Sequence, residues 1–189
     1  MTEQPKVSII TPSYNQARFL EQTMRSVLEQ DYPNLEYIVI DGGSKDGSRE
    51  IIQKYADRLA YWQSQKDKGQ TDAINQGFAR ATGEILAWLN SDDVLYPGAV
   101  SAAVRQLQRH PEVGMVYGNC HWINAEGKVI GDFPAAQTDL KKLRRGYVHI
   151  PQQTAFFRAE LWRKVAPLDD SFYFAMDYDL WTRLAALAP

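Results

Sequence analysis

Short apolar runs alternate along the first half of the chain with segments whose apolar residues recur at helical spacing. The run LEYIVID at 35–41 is almost continuously apolar, which is typical of a strand buried on both faces. Leu20, Met24 and Val27 are three or four residues apart, as on the inner face of a helix. Strands that alternate with amphipathic helices build parallel sheets, because each helix returns the chain to the same sheet edge. The sequence therefore predicts an α/β fold with a mostly parallel central sheet flanked by helices and strands at 6–11, 35–41, 59–65 and 84–90.

The chain after Pro97 shows a different pattern. Following one more amphipathic helix, residues 113–124 and 128–133 form two β-rich runs separated by a short turn that contains Gly127. Two such runs around a glycine turn predict a hairpin. We expect this hairpin to be a small antiparallel addition to the parallel sheet.

Two further helices are predicted in the C-terminal part. One begins at a cap at Thr138 or Asp139, and another contains Leu180 and continues at helical spacing to Ala188. A helix that continues to the end of the sequence indicates that the chain is a fragment or has been trimmed.

Charge and composition exclude some classes of function. The formal net charge is −2, with both signs spread along the chain, so the basic surface that nucleic-acid binding requires is missing and no nucleic-acid partner is expected. No apolar stretch approaches the roughly 18 residues that span a bilayer. Cys120 is the single cysteine, which excludes an internal disulfide and fits a reducing compartment. We expect a cytoplasmic protein.

Polar segments follow each of the four predicted strands. In an open parallel sheet, ligands bind beyond the carboxyl ends of the strands, so these segments are expected to form one polar rim. Asp41 ends the second strand and two glycines follow it, so that it can meet a ligand closely or bond the backbone of its own turn. Both interpretations remain open on these residues alone.

Asp92 and Asp93 end the fourth strand. Adjacent residues of an extended chain point to opposite sides, so each aspartate is expected to have its own partner. A carboxylate beside a like charge can hold a divalent cation, and oxygen ligands that share the ion with phosphate favour Mg²⁺ or Mn²⁺. The alternative is that the pair opens a turn or caps the next helix.

Four segments in order resemble the inverting nucleotide-sugar glycosyltransferases of family 2, which have the GT-A fold. The segments are VSIITPSYN, YIVIDGGSKDGS, DKGQTDAINQGFARATGEILAWLNSDD and FAMDYDLWTRL. The resemblance covers nearly the whole chain and implies one GT-A domain over residues 1–189. It implies a nucleotide-sugar-binding half at 1–95 and an acceptor-side half at 96–189.

The resemblance also implies roles for particular residues on the donor side. Asp41 would bond the base, Asp92 would contact the ribose side of the donor, and Asp93 would bind the cation. The remaining donor-side positions that it implies are Thr11, Pro12 and Tyr14, which would border the nucleotide, Gly69 at the start of a loop over the donor, and Lys68 as a phosphate partner.

On the acceptor side, the resemblance implies that Asp177 is the general base, with Asp179 as the alternative. The chain departs from the family at two positions. Met176 stands where relatives often have an acid, and Asn90 stands where many have a third aspartate, which removes one charge beside the metal position. Trp181 is expected either to wall the acceptor site or to lie in the core.

The expected activity is inverting transfer of a sugar from a nucleoside-diphosphate donor, UDP-linked in our interpretation, to an acceptor hydroxyl with Mg²⁺ or Mn²⁺. The acceptor would be a glycan, a lipid-linked molecule or another hydroxyl compound, in polysaccharide or glycolipid synthesis. The prediction therefore includes peripheral association of the protein with the inner face of the membrane. The alternatives are a catalytically silent nucleotide-sugar-binding module and a sugar nucleotidyltransferase.

Overall fold

The computed structural model describes residues 4–172 and 174–187. Within these ranges, six strands form the central sheet in the order β3-β2-β1-β4-β8-β5. Their bounds are β1 Val7–Ser13, β2 Leu35–Asp41, β3 Tyr61–Ser64, β4 Ile85–Trp88, β5 Met115–Val116 and β8 Phe156–Arg158. Strands β1 to β4 are mutually parallel, and β8 lies antiparallel between β4 and β5. The predicted α/β fold and its four parallel strands are confirmed.

The chain order of the strands creates a switch point between β1 and β4. From β1 the chain builds outward through β2 and β3, and it then returns to place β4 on the other side of β1. Connections diverge at such a point and leave a crevice beyond the carboxyl ends of the strands, where ligands bind in open α/β sheets. The fold therefore directs attention to the residues that follow β1 and β4.

Helices cover both faces of the sheet. Helices α1, α2 and α4 pack on the face that carries Val7 and Ile9, whereas α3, α6 and α7 pack on the face of Ile10. The helices are α1 Ala17–Leu28, α2 Ser48–Lys54, α3 Gln70–Phe78, α4 Ala99–Arg109, α5 Leu140–Leu143, α6 Ala159–Val165 and α7 Met176–Ala185. Among the described residues, no helix is both long enough and apolar enough to cross a bilayer.

An aromatic cluster attaches the C-terminal helices to the sheet. Trp88 of β4 stacks on Trp181 of α7, with ring centroids 5.5 Å apart and planes at 18°. Phe157 of β8 contacts both rings, and Trp162 of α6 packs on Phe78 of α3 with centroids 4.6 Å apart. Buried aromatic pairs contribute about 0.5–1.5 kcal/mol each beyond the area they bury. This cluster fixes α7 against the end of β4.

The predicted hairpin exists, but its expected attachment to the parallel sheet is wrong. Strands β6 Cys120–Ile123 and β7 Val129–Phe133 form a separate two-stranded sheet. The antiparallel strands added to the central sheet are β8 and β5, and β8 had no clear signal because its three residues are too few to show a period.

The predicted C-terminal helices need one correction. Asp139 caps α5 by accepting a hydrogen bond from the backbone N–H of Lys142, as expected. Helix α7 ends at Ala185 instead of continuing to Ala188, which lies outside the described residues. Leu187 is 47% exposed, so its helical spacing does not reflect burial.

Candidate active site

The ends of β1 and β2 are joined by hydrogen bonds between the loops that follow them. The backbone N–H of Gly42 donates to the carbonyl of Ser13 at 2.8 Å. Asn15, at a φ of 53°, donates its backbone N–H to Ser44 Oγ at 2.7 Å, and its Oδ1 accepts the N–H of Lys45 at 3.0 Å. These bonds between loops that are distant in sequence hold the ends of β1 and β2 together, beside the switch point.

Asp41 lies inside this rim and is fully buried. Within the described residues, its carboxylate accepts four hydrogen bonds, from the N–H groups of Gly43 and Ser44 and from the hydroxyls of Ser44 and Ser64. A carboxylate offers about four acceptor positions, so this one is saturated by the protein. This geometry matches the interpretation in which Asp41 bonds the backbone of its own turn. To contact the base of a nucleotide, the carboxylate would have to release one of these four donors.

The first strand end presents residues of different kinds. Thr11 is buried, and its hydroxyl is bonded to that of Tyr37 at 2.9 Å, so it lies within the core of the rim. Pro12 is buried as well, whereas Tyr14 is 64% exposed and can meet a ligand. Ser13 is 4% exposed, and its hydroxyl has no hydrogen-bond partner among the described residues. We did not assign a role to Ser13 from the sequence, because a serine in a strand carries no signal.

The Asn90–Asp93 segment is a turn directly beyond β4. The N–H of Asp93 bonds the carbonyl of Asn90 at 3.1 Å, and the Asp93 carbonyl accepts the Thr23 hydroxyl at 2.8 Å. Asp92 is exposed, whereas Asp93 is half-buried. Both sequence interpretations therefore describe part of the geometry, because the segment forms a turn and still places two carboxylates at the switch point.

The environment of Asp93 is unfavourable to a negative charge. Burial, and after it the nearby charge of Asp92, raise the pKa of Asp93 to about 6. A hydrogen bond from Asn90 Nδ2 at 3.4 Å opposes the rise. The pKa of Cys120 in the hairpin is also raised, mainly by burial and to a smaller extent by the charge of Asp93. A divalent cation would relieve the cost of ionising Asp93.

The oxygen donors of this turn fit Mg²⁺ or Mn²⁺. Magnesium is commonly held by one or two carboxylates together with substrate phosphates. In the part of the chain that the structure describes, no three His, Cys, Asp or Glu residues form a complete metal-binding group. A cation at Asp93 would therefore depend on the donor diphosphate for much of its coordination.

Asn90 occupies the centre of a network of amide side chains. Its Oδ1 accepts Gln70 Nε2 at 2.7 Å, and its Nδ2 donates to Gln152 Oε1 at 3.1 Å. Gln152 in turn donates to the carbonyl of Trp88 at 2.8 Å. Gln70 belongs to the loop that the resemblance places over the donor, but its bond to Asn90, like that of Gln152, was not predicted, because these bonds join residues that are far apart in sequence. An aspartate at 90 could not donate to Gln152, so the asparagine suits this network.

The segment before α3 has a backbone open to ligands. Gly69 has a φ of +121° and would have nothing within 4 Å of an added Cβ, and Lys68 is exposed. Asp67 and Asp72 accept the N–H groups of Gly69 and Lys68. Burial raises the pKa of Asp67, and the charges of Asp72 and Asp41 add to this. Lys68 is therefore exposed to solvent beside two carboxylates, those of Asp67 and Asp72.

The two candidate bases in α7 have different surroundings. Asp179 forms a salt bridge with Arg183, with 2.7 Å between Asp179 Oδ2 and Arg183 Nη2. Arg183 also donates to the carbonyls of Val165 and Pro167, so Asp179 belongs to a structural anchor. Asp177 is half-buried and accepts the backbone N–H of Tyr178, and burial raises its pKa. The geometry favours Asp177.

Helix α7 carries Asp177 on a face that is fixed to β4. Asp177 precedes Trp181 by one helical turn, so both lie on the same side of α7. Trp181 is fully buried against Trp88, which is two residues before Asn90. The core interpretation of Trp181 is confirmed. Met176 is 6% exposed and packs in the same core, which accounts for an apolar residue at the position where the resemblance implied an acid.

His149 is exposed and stacks on Phe133 of the hairpin, with centroids 6.4 Å apart.

A cavity of about 1120 Å³ lies away from the strand ends, between β5, α5 and the end of α7, and its lining includes Tyr117, Leu161 and Leu184. This cavity does not include the strand-end aspartates. The candidate site lies instead at the carboxyl ends of the parallel strands.

The known proteins to which this chain is similar are glycosyltransferases. A model of glycosyl transferase family 2 matches residues 8–167. An uncharacterized glycosyltransferase of Mycobacterium tuberculosis (strain CDC 1551 / Oshkosh) is 36% identical over 188 residues, which are 98% of this chain and 71% of the relative. Another, from Nostoc sp. (strain PCC 7120), is 33% identical over 87% of this chain and 54% of its own length.

Solved structures share the fold. The mannosyltransferase PcManGT of Pyrobaculum calidifontis, in complex with GDP-Man and Mn²⁺, superposes with a TM-score of 0.74 at 24% identity. It is matched over 99% of this chain and 54% of its own. S. aureus TarS in complex with UDP-GlcNAc gives 0.77 at 21% identity, over 96% and 53%. The chain thus spans about half of these structures and has the GT-A fold, and it belongs to glycosyl transferase family 2.

Proposed function

We propose that the protein transfers a sugar from a UDP-linked donor to an acceptor hydroxyl, with inversion at the anomeric carbon and with Mg²⁺ or Mn²⁺. The observation that carries the proposal is Asp93, a half-buried carboxylate at the switch point whose pKa is raised to about 6. Perturbed carboxyls in a crevice are candidates for functional groups. Membership in a glycosyltransferase family supplies the reaction class.

The donor would bind across the ends of β1, β2 and β4. Residues 1–95 form its binding half in our assignment, and residues 96–189 form the acceptor side. Tyr14, Lys68 and Gly69 are exposed at this rim and can meet the nucleotide and its phosphates. S. aureus TarS was solved with UDP-GlcNAc and with UDP, which supports a uridine donor. The mannosyltransferase was solved with GDP-Man, so a guanosine donor is the alternative to the uridine donor.

Asp93 would hold the cation, and Asp92, on the exposed side of the turn, would face the ribose. When bound, the cation supplies Lewis-acid neutralisation of the departing diphosphate. Asp93 must be ionised for this role, and its raised pKa makes occupancy depend on pH between about 5 and 7. Asn90 and Gln152 orient the carboxylate through their amide network.

Asp177 would accept the proton of the acceptor hydroxyl. As the acceptor oxygen bonds to the anomeric carbon, the bond from that carbon to the diphosphate oxygen breaks on the opposite side, which inverts the configuration. The pKa of Asp177 is raised by burial, which makes its carboxylate a stronger base than an exposed aspartate. General-base catalysis of this kind contributes about 10² to 10⁴ in rate.

We further propose that the acceptor belongs to polysaccharide or glycolipid assembly and that the protein works in the cytoplasm, at the inner face of the membrane. The support for the acceptor class is chemical, because a carboxylate such as that of Asp177 can accept the proton of a sugar hydroxyl.

Calorimetric titration with UDP and Mn²⁺ separates the two aspartate roles. We expect Asp177→Asn to bind UDP with Mn²⁺ as the wild type does but to lose at least about 10² in transfer rate. Asp93→Ala is expected to lose metal-dependent UDP binding. Asp179→Asn is the matched control for a charge removed from α7 and should retain transfer. Loss of UDP binding in Asp177→Asn would contradict the assignment of Asp177 as the general base. Metal-independent binding of UDP by the wild type would contradict the role of Asp93.

A further inference from the structure

Four cationic side chains lie within five consecutive positions in and just after α5. They are Lys141, Lys142, Arg144 and Arg145. We call residues 141–148 the basic turn. Seven of its eight residues are exposed, and Leu143 is buried. Tyr147 is 59% exposed and Val148 is 36% exposed, so an aromatic and an aliphatic side chain meet solvent directly after the four positive charges.

The backbone of the basic turn is fixed by hydrogen bonds. Gly146, at a φ of +79°, donates its N–H to the carbonyl of Leu143 at 2.8 Å. The N–H of Tyr147 donates to the carbonyl of Lys142 at 3.1 Å. These two bonds around a left-handed glycine form a Schellman motif at the end of α5. Leu143 is fully buried in the core, and the Tyr178 hydroxyl donates to its carbonyl. The basic turn is therefore held in place while its charged side chains stay exposed.

The four cations of the basic turn have no carboxylate partner in the part of the chain that the structure describes. The Lys142 ammonium donates one hydrogen bond, to the carbonyl of Gln137 at 2.7 Å. Asp139 is the nearest acid in the sequence, but its carboxylate caps α5 by accepting the backbone N–H of Lys142 at 2.7 Å. The positive charge of the basic turn is thus available to an anion outside the protein.

The acidic side chains of the neighbouring elements are engaged elsewhere. In the β6–β7 hairpin, Glu126 Oε1 lies 3.8 Å from Arg18 Nη2, and Asp132 Oδ1 lies 2.6 Å from His121 Nδ1. On α7, which packs against α5, Asp179 is held by the salt bridge described above, and the other carboxylate of that helix is half-buried. None of these acids bonds a cation of the basic turn.

The composition of the basic turn matches the surface of an anionic bilayer. Clusters of about four to eight Lys and Arg residues bind anionic phospholipid headgroups. Tyrosine is enriched at the depth of the headgroups, because its ring is apolar and its hydroxyl is polar. The whole chain has 23 acidic and 21 basic residues, so the chain outside the basic turn carries a net negative charge. A bilayer can meet one exposed turn alone, whereas a nucleic acid requires a basic track along its backbone. The charge distribution therefore favours the bilayer.

The basic turn is connected with the candidate active site from two sides. Tyr147 precedes Gln152 by five residues, and five residues span at most about 18 Å. Gln152 Oε1 accepts a hydrogen bond from Asn90 at 3.1 Å. Tyr178, whose hydroxyl bonds the carbonyl at the end of α5, directly follows Asp177 in α7. A bilayer at the basic turn would therefore lie beside the half of the chain that we assign to the acceptor.

We propose that the basic turn docks the protein on the surface of a bilayer that contains anionic phospholipid. This inference rests on the proposed function, because a bilayer held there would present a lipid-linked acceptor to the candidate active site. The four cations supply the electrostatic part of the binding, and Tyr147 supplies an apolar contact at the level of the headgroups.

Sedimentation with sucrose-loaded vesicles tests the inference. We expect the protein to bind vesicles of phosphatidylcholine with about 30% phosphatidylglycerol and not vesicles of phosphatidylcholine alone. Each Lys or Arg near such a surface strengthens binding about fivefold, so the double variant Arg144→Gln with Arg145→Gln should bind about 25-fold more weakly. Binding of the wild type should also fall when NaCl is raised from about 0.1 M to about 0.5 M.

Two substitutions in α4 provide a matched control. Arg105→Gln with Arg109→Gln removes the same charge from exposed positions on the opposite face of the sheet, and this variant should bind vesicles as the wild type does. The inference is overturned if the two double variants bind equally or if the two vesicle compositions bind the wild type equally. Displacement of the protein from vesicles by millimolar glycerol phosphate would indicate a site for a free phosphate instead. Binding to a DNA duplex but not to vesicles would indicate a nucleic-acid surface, and either result would overturn the inference.

Calorimetry with UDP and Mn²⁺ keeps this inference separate from the proposed function. Neither Arg144 nor Arg145 belongs to the candidate active site, so their double variant is expected to bind UDP as the wild type does. Vesicle binding by a wild-type protein that does not bind UDP would contradict only the proposed function. UDP binding without vesicle binding would contradict only the docking role of the basic turn.

Discussion

Replacing Asp93 by asparagine should stabilise the metal-free protein while abolishing the metal-dependent UDP binding that we propose. The pKa of Asp93 is raised from 3.8 to about 6 by burial and by Asp92. Each pKa unit corresponds to about 1.4 kcal/mol, so the shift is equivalent to about 3 kcal/mol. Asp93 is partly exposed, and screening by water reduces the expected gain to about 2 kcal/mol. For a domain of this size, that raises Tm by about 4–8 °C.

The sign follows from proton binding. Because the folded-state pKa of Asp93 is above the unfolded value, the folded protein binds the proton more tightly between about pH 4 and pH 6. The contribution of Asp93 to stability therefore falls as pH rises through this window and stays unfavourable above it. The Tm difference between Asp93→Asn and wild type should grow from about pH 4 to pH 6 and remain constant at higher pH.

Thermal unfolding in EDTA, across pH 4.5 to 8, measures this difference. Asp92→Asn is the control, because Asp92 is exposed and its removal relieves only the repulsive part of the shift. Addition of UDP with Mn²⁺ should raise the Tm of the wild type and leave that of Asp93→Asn unchanged. The reasoning fails if Asp93→Asn is no more stable than wild type at pH 8, or if the difference between them does not depend on pH.

Two further substitutions separate structural from functional roles near the site. Asn90→Asp adds a third charge beside Asp93 and removes the hydrogen-bond donor to Gln152, so we expect the free energy of unfolding without metal to fall by about 1–3 kcal/mol. We also expect UDP with Mn²⁺ to bind more tightly above pH 7, and weaker binding in calorimetry would contradict this. Asp179→Asn breaks the salt bridge to Arg183 and should cost about 1 kcal/mol in urea unfolding while the transfer rate is retained. A large loss of rate in folded Asp179→Asn would instead identify this residue as the base.

Much of the fold was predictable because the strand signals are local. The bounds predicted for β2 agree with Leu35–Asp41, and α4 buries the expected Val100, Val104 and Leu107. The attachment of the hairpin was not predictable. A period of two identifies a strand but not its partner, and β8, which takes the place beside β4, is only three residues long.

The candidate site was predictable in position but not in detail. Parallel strands bring their ends to one edge, so the residues after β1, β2 and β4 were expected to meet. The state of each side chain depends on neighbours that are distant in sequence. Asp41 is saturated in part by Ser64, and Thr11 is bonded to Tyr37. Likewise, Asn90 is bound by Gln70 and Gln152, and no motif in the sequence indicates that these residues are partners.

The sequence by itself determined the α/β architecture, the motifs of family 2 and the aspartates at the end of β4, because hydrophobic periodicity and motif order are properties of contiguous residues. Only the tertiary structure distinguishes the surroundings of Asp177 and Asp179, since the salt bridge of Asp179 with Arg183 depends on the carbonyls of Val165 and Pro167 that hold the guanidinium. It also sets the raised pKa of Asp93. A carboxyl pKa is set by burial and by nearby charges, and both exist only once β4, α1 and the hairpin have come together.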